Sequence, residues 1–420
     1  MTKESVIKGD LNIAGGTMTM KERVDSLLTR GVVDVINKEG LSQRLLNGEK
    51  LRIKLGIDPT GPDIHIGRGS TIRKLREFQE LGHTIVLIIG DATARIGDTS
   101  DKTDGRRLLA EEEVLENERH YLEQMGRIIS LDSAEIHHNS EWIDKLDSKT
   151  WIELASLFTI QQMVQRDNFS QRIKNNNPVG YQEGLYCLLQ GWDSVMVKAD
   201  VEIGGTDQLF NLNAGRKIQH HFGQKPQDVM MLQLLAGTDG RKMSTSWGNV
   251  ILITESPQEK FGKIMRLSDQ LIPVYMEATT MIPMQRVREI QQLLERGNAN
   301  PMEFKKELAY NIINLYDGEE AAKQAQGYFE RTVQKKQAPE TMPSLTTTAE
   351  NLSVKDIIPY LVKANLVKSK LEARRLLAEG GLYANGVRLD NNFDQIVTMP
   401  KTGIVIQVGK RRFLRLTPEV

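Results

Sequence analysis

The chain has 420 residues, 39% hydrophobic and 26% charged, with a formal net charge of zero, which is room for two to four domains of roughly 150 residues and an ordinary globular composition. Its single cysteine, Cys187, excludes an intrachain disulfide and reads as a small buried hydrophobe; with seven scattered histidines it gives no zinc spacing and no expected metal ligands. No apolar run approaches the roughly 18 residues of a membrane span, and Met1–Asp10 has no secretory h-region, so a cytoplasmic protein without membrane contact is expected.

In chain order, residues 51–57 (LRIKLGI) and 84–89 (TIVLII) read as strands. Between them, Ile72, Leu75, Phe78 and Leu81 fall on one face of a helix over 69–81, with Gly82 as its stop. Strand, helix and strand in that order predict a right-handed βαβ unit of a parallel sheet. The loop Asp58–Arg68 then follows the carboxyl end of a strand, where open α/β sheets bind ligands. From about residue 255 the pattern turns helical. Ser256-Pro257-Gln258-Glu259 is a capping box with proline at the first helical position, and Pro301 opens a helix carrying Phe304, Leu308, Ile312 and Leu315. Residues 336–350 lose periodicity and read as a linker. Residues 351–420 carry twelve Lys and Arg against six Asp and Glu, a net +6 that leaves −6 on the rest. That asymmetry points to an RNA-binding module on a slightly acidic body, against the plainer alternative of a solvated small domain. The domains expected are thus 1–254 with an N-terminal helical extension, 255–335, the linker, and 351–420.

Two short motifs carry chemistry. His65-Ile66-Gly67-Arg68 follows the first strand, and Lys242-Met243-Ser244-Thr245-Ser246 precedes the helical region. No G-x-x-x-x-G-K-[ST] loop is present, so phosphates would have to be held by an imidazole, a helix N-terminus, and a lysine with hydroxyls. Gly67 allows close backbone approach. Tyr186, Gln190 and Asp193 recur at i, i+4 and i+7, one polar helix face inside an otherwise apolar segment.

The motif pair resembles the HIGH and KMSKS elements of class I aminoacyl-tRNA synthetases. Over roughly 20–420 the chain is similar to bacterial tyrosyl-tRNA synthetases of the KMSKS-type branch, through Lys54–Thr60, Ala92–Asp98, Tyr186–Asp193 and Ile203–Gln208. Lys368–Arg375, Asn385-Gly386 and Val408–Arg412 resemble a small RNA-binding domain shared with a ribosomal protein. The resemblance implies an α/β fold: a Rossmann-like parallel-sheet nucleotide-binding catalytic domain, an α-helical domain on the anticodon side, and a small C-terminal α+β RNA-binding domain.

It also implies roles. Asp193 would accept a hydrogen bond from the phenol of L-tyrosine, with Lys54 nearby. Tyr186, Gln190 and Gln208 would hold the ammonium and carboxylate, and Thr93 and Asp98 the amino group. Asp207 and Asp58 would lie by the ribose or adenosine of ATP, with Gly56, Gly205 and Met243 completing that site. Thr60, His65, Gly67, Arg68, Lys102, Arg106, Lys242, Ser244 and Thr245 would align and stabilise the phosphates while Mg²⁺ shares their charge. Lys368, Lys370, Arg374, Arg375, Lys410, Arg411 and Arg412 would contact tRNA(Tyr), and the family is homodimeric.

Four positions depart from the pattern. Arg68 replaces the last His of HIGH, Thr99 a common Pro, Trp192 a common Tyr, and Lys54 the Tyr of the better-known branch. They keep open a paralogue that handles a tyrosine analogue or evades an inhibitor. A non-catalytic RNA-binding protein on a synthetase frame is the reading from another class.

Overall fold

The computed structural model describes residues 18–96, 110–164, 166–297, 299–334, 342–349, 351–400, 402–409 and 412–419, the side chains of Glu111, Asp167 and Ser246 excepted. Chain packing divides it into two compact units, one ending at Tyr316 and the other running from Asp317.

In the first unit, α1 (Met20–Leu27) opens on a capping box from Thr19 and Glu22. Then come β1 (Val32–Ile36), α2 (Lys38–Leu46), β2 (Arg52–Ile57), α3 (Ile66–Glu80), β3 (Thr84–Ile89), α4 (Asp91–Ala94), α5 (Glu111–Met125) and β4 (Glu135–His138). Four short helices, α6 (Ser140–Ile143), α7 (Ser148–Ser156), α8 (Ile160–Val164) and α9 (Asp167–Lys174), lead to α10 (Tyr181–Met196), β5 (Val201–Gly205), α11 (Leu209–His221) and β6 (Asp228–Leu232). The helices α12 (Pro257–Ile264), α13 (Ile272–Thr279), α14 (Met284–Glu295) and α15 (Pro301–Asp317) follow.

The six strands form one sheet in the order β1-β6-β5-β2-β3-β4. Only β1 runs antiparallel, against β6; the remaining pairs are parallel. Ile85–Ile89 and the whole of β6 are buried, as expected for parallel strands covered on both faces. Chain progression reverses between β2 and β5: from β2 it moves outward to β3 and β4, from β5 to β6. The crevice at the carboxyl ends of β2 and β5 is therefore the topological switch point, where such sheets take ligands.

The strands expected at 51–57 and 84–89 form at 52–57 and 84–89. The helix expected to begin at 69 begins at Ile66 instead, because the His65 side chain caps it: Nδ1 accepts from the backbone amide of Arg68 at 3.2 Å. The first motif is thus the first turn of α3 rather than loop, and its positive dipole end lies at the switch point. Ser256 and Glu259 cap α12 as expected, with Pro257 at N1.

The second unit begins with α16 (Glu319–Phe329), which runs into a π-helical turn, Glu330–Gln334. Its later part contains β7 (Ser344–Thr347), β8 (Asn351–Ser353), α17 (Val354–Lys363), α18 (Lys370–Ala378), β9 (Leu382–Ala384), β10 (Val387–Arg388), β11 (Ile396–Thr398), β12 (Ile404–Val408) and β13 (Arg412–Pro418). Strand order is β10-β9-β12-β13-β7, with β11 and β8 paired separately. Val354, Ile357 and Leu361 of α17 and Leu377 of α18 bury against Ile404, Ile406, Leu414 and Leu416 of the sheet. The linker expected over 336–350 fails at 344–347: that stretch is β7, paired in parallel with β13, with Leu345 packed on the core. One inward apolar side chain in a run of Thr and Ser leaves no period to read.

Candidate active site

A cavity of about 250 Å³ opens at the switch point, lined by Leu55–Ile57 of β2 and Asp58 after it, Ile203–Gly205 of β5, the start of α3, Tyr186, Gln190 and Asp193 of α10, and Lys242 and Met243. It brings together fifteen of the expected residues: Gly56, Asp58, Thr60, His65, Gly67, Arg68, Thr93, Tyr186, Gln190, Asp193, Gly205, Asp207, Gln208, Lys242 and Met243. Asp98, Lys102 and Arg106 lie outside the described residues, as do Lys410 and Arg411.

One wall is a continuous hydrogen-bonded chain. Tyr186 Oη donates to Asp58 Oδ2 at 3.0 Å, and Thr93 Oγ1 donates to Asp58 Oδ1 at 2.8 Å. Asn139 Nδ2 donates to Thr93 Oγ1 at 3.0 Å and to Asp193 Oδ2 at 3.4 Å, and Trp142 Nε1 donates to Asp193 Oδ1 at 2.8 Å. Gly90 makes this wall possible: a Cβ there would sit 2.0 Å from Asp58 Oδ1 and 2.3 Å from Thr93 Oγ1. Asp58, expected beside the nucleotide, shares its oxygens with Thr93 and Tyr186, two residues expected on the amino-acid side. Asn139 and Trp142 were not foreseen, since they stand about fifty positions before Asp193 and no periodicity links them.

Asp193 is buried, and burial raises its carboxyl to a pKa of about 7 against the opposing pull of Lys54, Trp142 and Asn139. Lys54 acts on the Asp193 carboxyl through its charge but does not itself line the cavity. Its Nζ donates to Gln190 O at 2.7 Å and Ser194 Oγ at 2.8 Å, both on α10, and pairs with Glu202 at 3.0 Å. Both ions of that pair are fully buried, so each must be matched by the other and by hydrogen bonds. Glu202 accepts further from Gln190 Nε2 at 3.0 Å, which fixes the Gln190 amide at the cavity wall. Trp192 packs its indole edge-to-face on Phe222 at 5.0 Å, outside the cavity, so this departure from the pattern falls in the hydrophobic layer.

The opposite wall is positive. His65 has its imidazole pushed down to a pKa of about 3, by burial first and then by the charges of Arg68 and Lys242. It is therefore neutral at physiological pH, and Nδ1 acting as acceptor leaves the proton on Nε2. Lys242 Nζ pairs with Asp207 Oδ2 at 2.7 Å, both residues lining the cavity. The second motif is held from behind by Asn249, which takes the amide of Ser244 at 2.9 Å and donates to Lys242 O at 3.0 Å and Asp239 at 2.7 Å. Ser244 and Thr245, expected among the catalytic groups, are not brought to the cavity; Thr245 opens a short 3₁₀ turn and is exposed. Among the described residues no three His, Cys, Asp or Glu side chains cluster as a metal site.

In the second unit, Lys368, Lys370, Arg374 and Arg375 are exposed on or beside α18. Arg374 lies 5.6 Å over the Phe393 ring. Arg412 donates to Leu366 O and stands 3.7 Å from Glu372.

The family described as tRNA synthetases class I (W and Y) matches residues 46–334, and a Tyrosine--tRNA ligase SYY-like C-terminal domain matches 334–416. The Tyrosine--tRNA ligase of Thermotoga maritima is 45% identical over 401 residues, 95% of this chain and 98% of the relative. That of Dehalococcoides mccartyi is 44% identical over 394 residues, 94% of this chain and 98% of the relative. In fold, the tyrosyl-tRNA synthetase from Archaeoglobus fulgidus solved with L-tyrosine superposes with a TM-score of 0.59 at 21% identity, over 74% of this chain and all of that one. A switch-point cavity with a buried carboxylate on one side and a cationic motif pair on the other thus stands on a frame whose relatives are aminoacyl-tRNA synthetases, and the chain belongs to the class I tRNA synthetases (W and Y), among the tyrosine–tRNA ligases.

Proposed function

We propose that this chain activates L-tyrosine with ATP and transfers the tyrosyl group to tRNA(Tyr). The observation that carries the reading is the polarity of the cavity: Asp193 buried at one side, and His65, Arg68, Lys242 and the N-terminus of α3 at the other. Asp193 would accept from the phenol. Tyr186, Gln190, Gln208 and Thr93 would hold the amino-acid head, and Asp58, which Tyr186 and Thr93 already engage, would add negative charge beside the ammonium. Asp207 with Gly56 and Gly205 would face the ribose side of ATP.

The tyrosine carboxylate attacks the α-phosphorus, the bond to pyrophosphate breaks, and the leaving group carries the charge. Neutral His65 donates from Nε2, while Lys242 and Arg68 supply cations, so transition-state charge meets preorganised donors. Asp58, Asp193 and Asp207 each already accept hydrogen bonds or ion pairs from the protein. With these three carboxylates engaged, Mg²⁺ would enter as the ion that accompanies ATP. ATP–pyrophosphate exchange should respond to tyrosine and not to phenylalanine or tryptophan; exchange with none of the three would leave the RNA-binding frame as the reading.

We place tRNA contact on the exposed bases of α18 with Arg412, and the protein in the cytoplasm as a homodimer. The apolar side chains Ile152, Ile160, Val164, Ile173 and Tyr181 support the dimer: all are exposed, on the successive helices α7 to α10. Removing residues 351–420 should leave tyrosine-dependent exchange within about twofold, while aminoacylation falls and the salt dependence of tRNA binding flattens as phosphate contacts are lost. Loss of exchange in a truncated protein that stays folded would defeat the modular reading.

A further inference from the structure

The loop between β2 and α3 is held by one face of a helix to which no role has been assigned. On α5, Asn117, Tyr121 and Gln124 stand at i, i+4 and i+7, so they share a face. Asn117 Nδ2 donates to Pro59 O at 3.1 Å. Gln124 Nε2 donates to Pro62 O at 2.8 Å, and its Oε1 accepts from the Ile64 amide at 2.8 Å. Arg68 Nη1 donates to Tyr121 Oη at 2.5 Å, and the guanidinium carbon lies 5.4 Å from the centre of the Tyr121 ring. The face therefore grips the chain at Pro59, Pro62, Ile64 and Arg68, spanning the loop and reaching the first turn of α3. Tyr121 and Gln124 are each only 3% exposed, so their polar atoms have no solvent to turn to.

We propose that Tyr121 is a positioning residue for the nucleotide, acting through Arg68, with Asn117 and Gln124 fixing the loop that carries the motif. A guanidinium on a long side chain has more freedom than the imidazole it replaces. Binding without ordering cost requires that this freedom be removed beforehand. Tyr121 removes it with two different contacts: the phenol oxygen takes one Nη, and the ring face takes the cation. The guanidinium is thereby held in one orientation beside the cavity that Arg68 lines.

This rests on the ATP reading above. The test is steady-state ATP–pyrophosphate exchange on full-length wild type, Tyr121→Phe, Arg68→Ala and the double variant, with KM taken separately for ATP and for tyrosine. Tyr121→Phe keeps the ring face and loses one hydrogen bond to a charged group; KM for ATP should rise about tenfold. KM for tyrosine should stay within twofold. Arg68→Ala should raise KM for ATP further, and the double variant should match Arg68→Ala alone, because Tyr121 has nothing left to position. KM values are independent of the fraction of enzyme folded, so a lower melting temperature in either variant does not blur the result. Multiplying effects in the double variant, or equal shifts in both KM values, overturns the proposal. Absence of exchange in the wild type would instead overturn the function it rests on.

Discussion

Asp193→Ala should abolish most tyrosine activation while leaving the weak activation of phenylalanine within about tenfold of its starting value. Tyrosine and phenylalanine differ by one hydroxyl, which an apolar pocket barely distinguishes. A pocket with buried polar groups distinguishes them strongly, because phenylalanine leaves those groups unpaired. Sites of this kind, tyrosine-activating enzymes themselves being the known example, discriminate by roughly 10⁴ to 10⁵ in kcat/KM without editing. In this chain the polar groups are one connected set: Asp193 with Trp142 Nε1 at 2.8 Å and Asn139 Nδ2 at 3.4 Å. The ratio of kcat/KM for the two amino acids on the variant is the measurement. An unchanged ratio would mean that Asp193 serves the fold and does not read the phenol.

The same carboxyl fixes a pH dependence. Its pKa is raised from 3.8 to about 7 in the folded protein. Between those values the unfolded chain has lost the proton and the folded chain keeps it, so this group costs stability as pH rises toward 7. Acceptance from a phenol favours the ionised form. Tyrosine affinity should therefore weaken as pH falls below about 7, approaching tenfold per unit. Phenylalanine affinity, which carries the same head-group titrations, should lack that component. Equilibrium dialysis of both between pH 5.5 and 8, as a choice of range, reads the difference; parallel curves would refute it.

Lys242→Ala should lower kcat for adenylate formation by on the order of 10²-fold, the loss typical of removing one preorganised donor to transition-state charge. The structure adds a second consequence. Lys242 rests on Asp207 at 2.7 Å, the carboxylate proposed for the ribose side, so the pair must open before the lysine reaches phosphate. Alanine frees Asp207 from that contact. KM for ATP should therefore change little or fall while kcat collapses, with KM for tyrosine unaltered. A variant with wild-type kcat would remove Lys242 from the chemistry.

Much of this was readable from residues alone. The strand at 84–89 is a continuous apolar run, the cap at Ser256–Glu259 is local, and Tyr186, Gln190 and Asp193 announce themselves by helical spacing. What escaped depends on direction or distance. Neighbours in β2 are buried on both faces, so alternation could not tell that Lys54 pairs with Glu202 instead of lining the cavity. Asn139 and Trp142 reach Asp193 only because β4 lies two strands from β2 and α6 follows it directly. β1 is five residues long and finds its partner roughly 190 residues later, beyond any local pattern. The face of α5 has legible spacing, but nothing in the sequence says that Asn117, Tyr121 and Gln124 meet the loop at 59–68.

The strand order has a consequence for the chain as it is being made. β2 is synthesised early, yet one of its two neighbours is β5, where Ile53 pairs with Val201. β1 waits longer still, since Ile36 pairs with Val229. At about 5–20 residues per second on the ribosome, β2 stands with one open edge for roughly 7–30 seconds, and β1 for longer. The half formed by β2, β3 and β4 can pair by itself during that time. The crevice cannot, because its far wall has not yet been translated. Tyr186, Gln190, Asp193 and Lys242 are missing at that stage, so the early half holds only one side of the site while the β2 edge stands exposed.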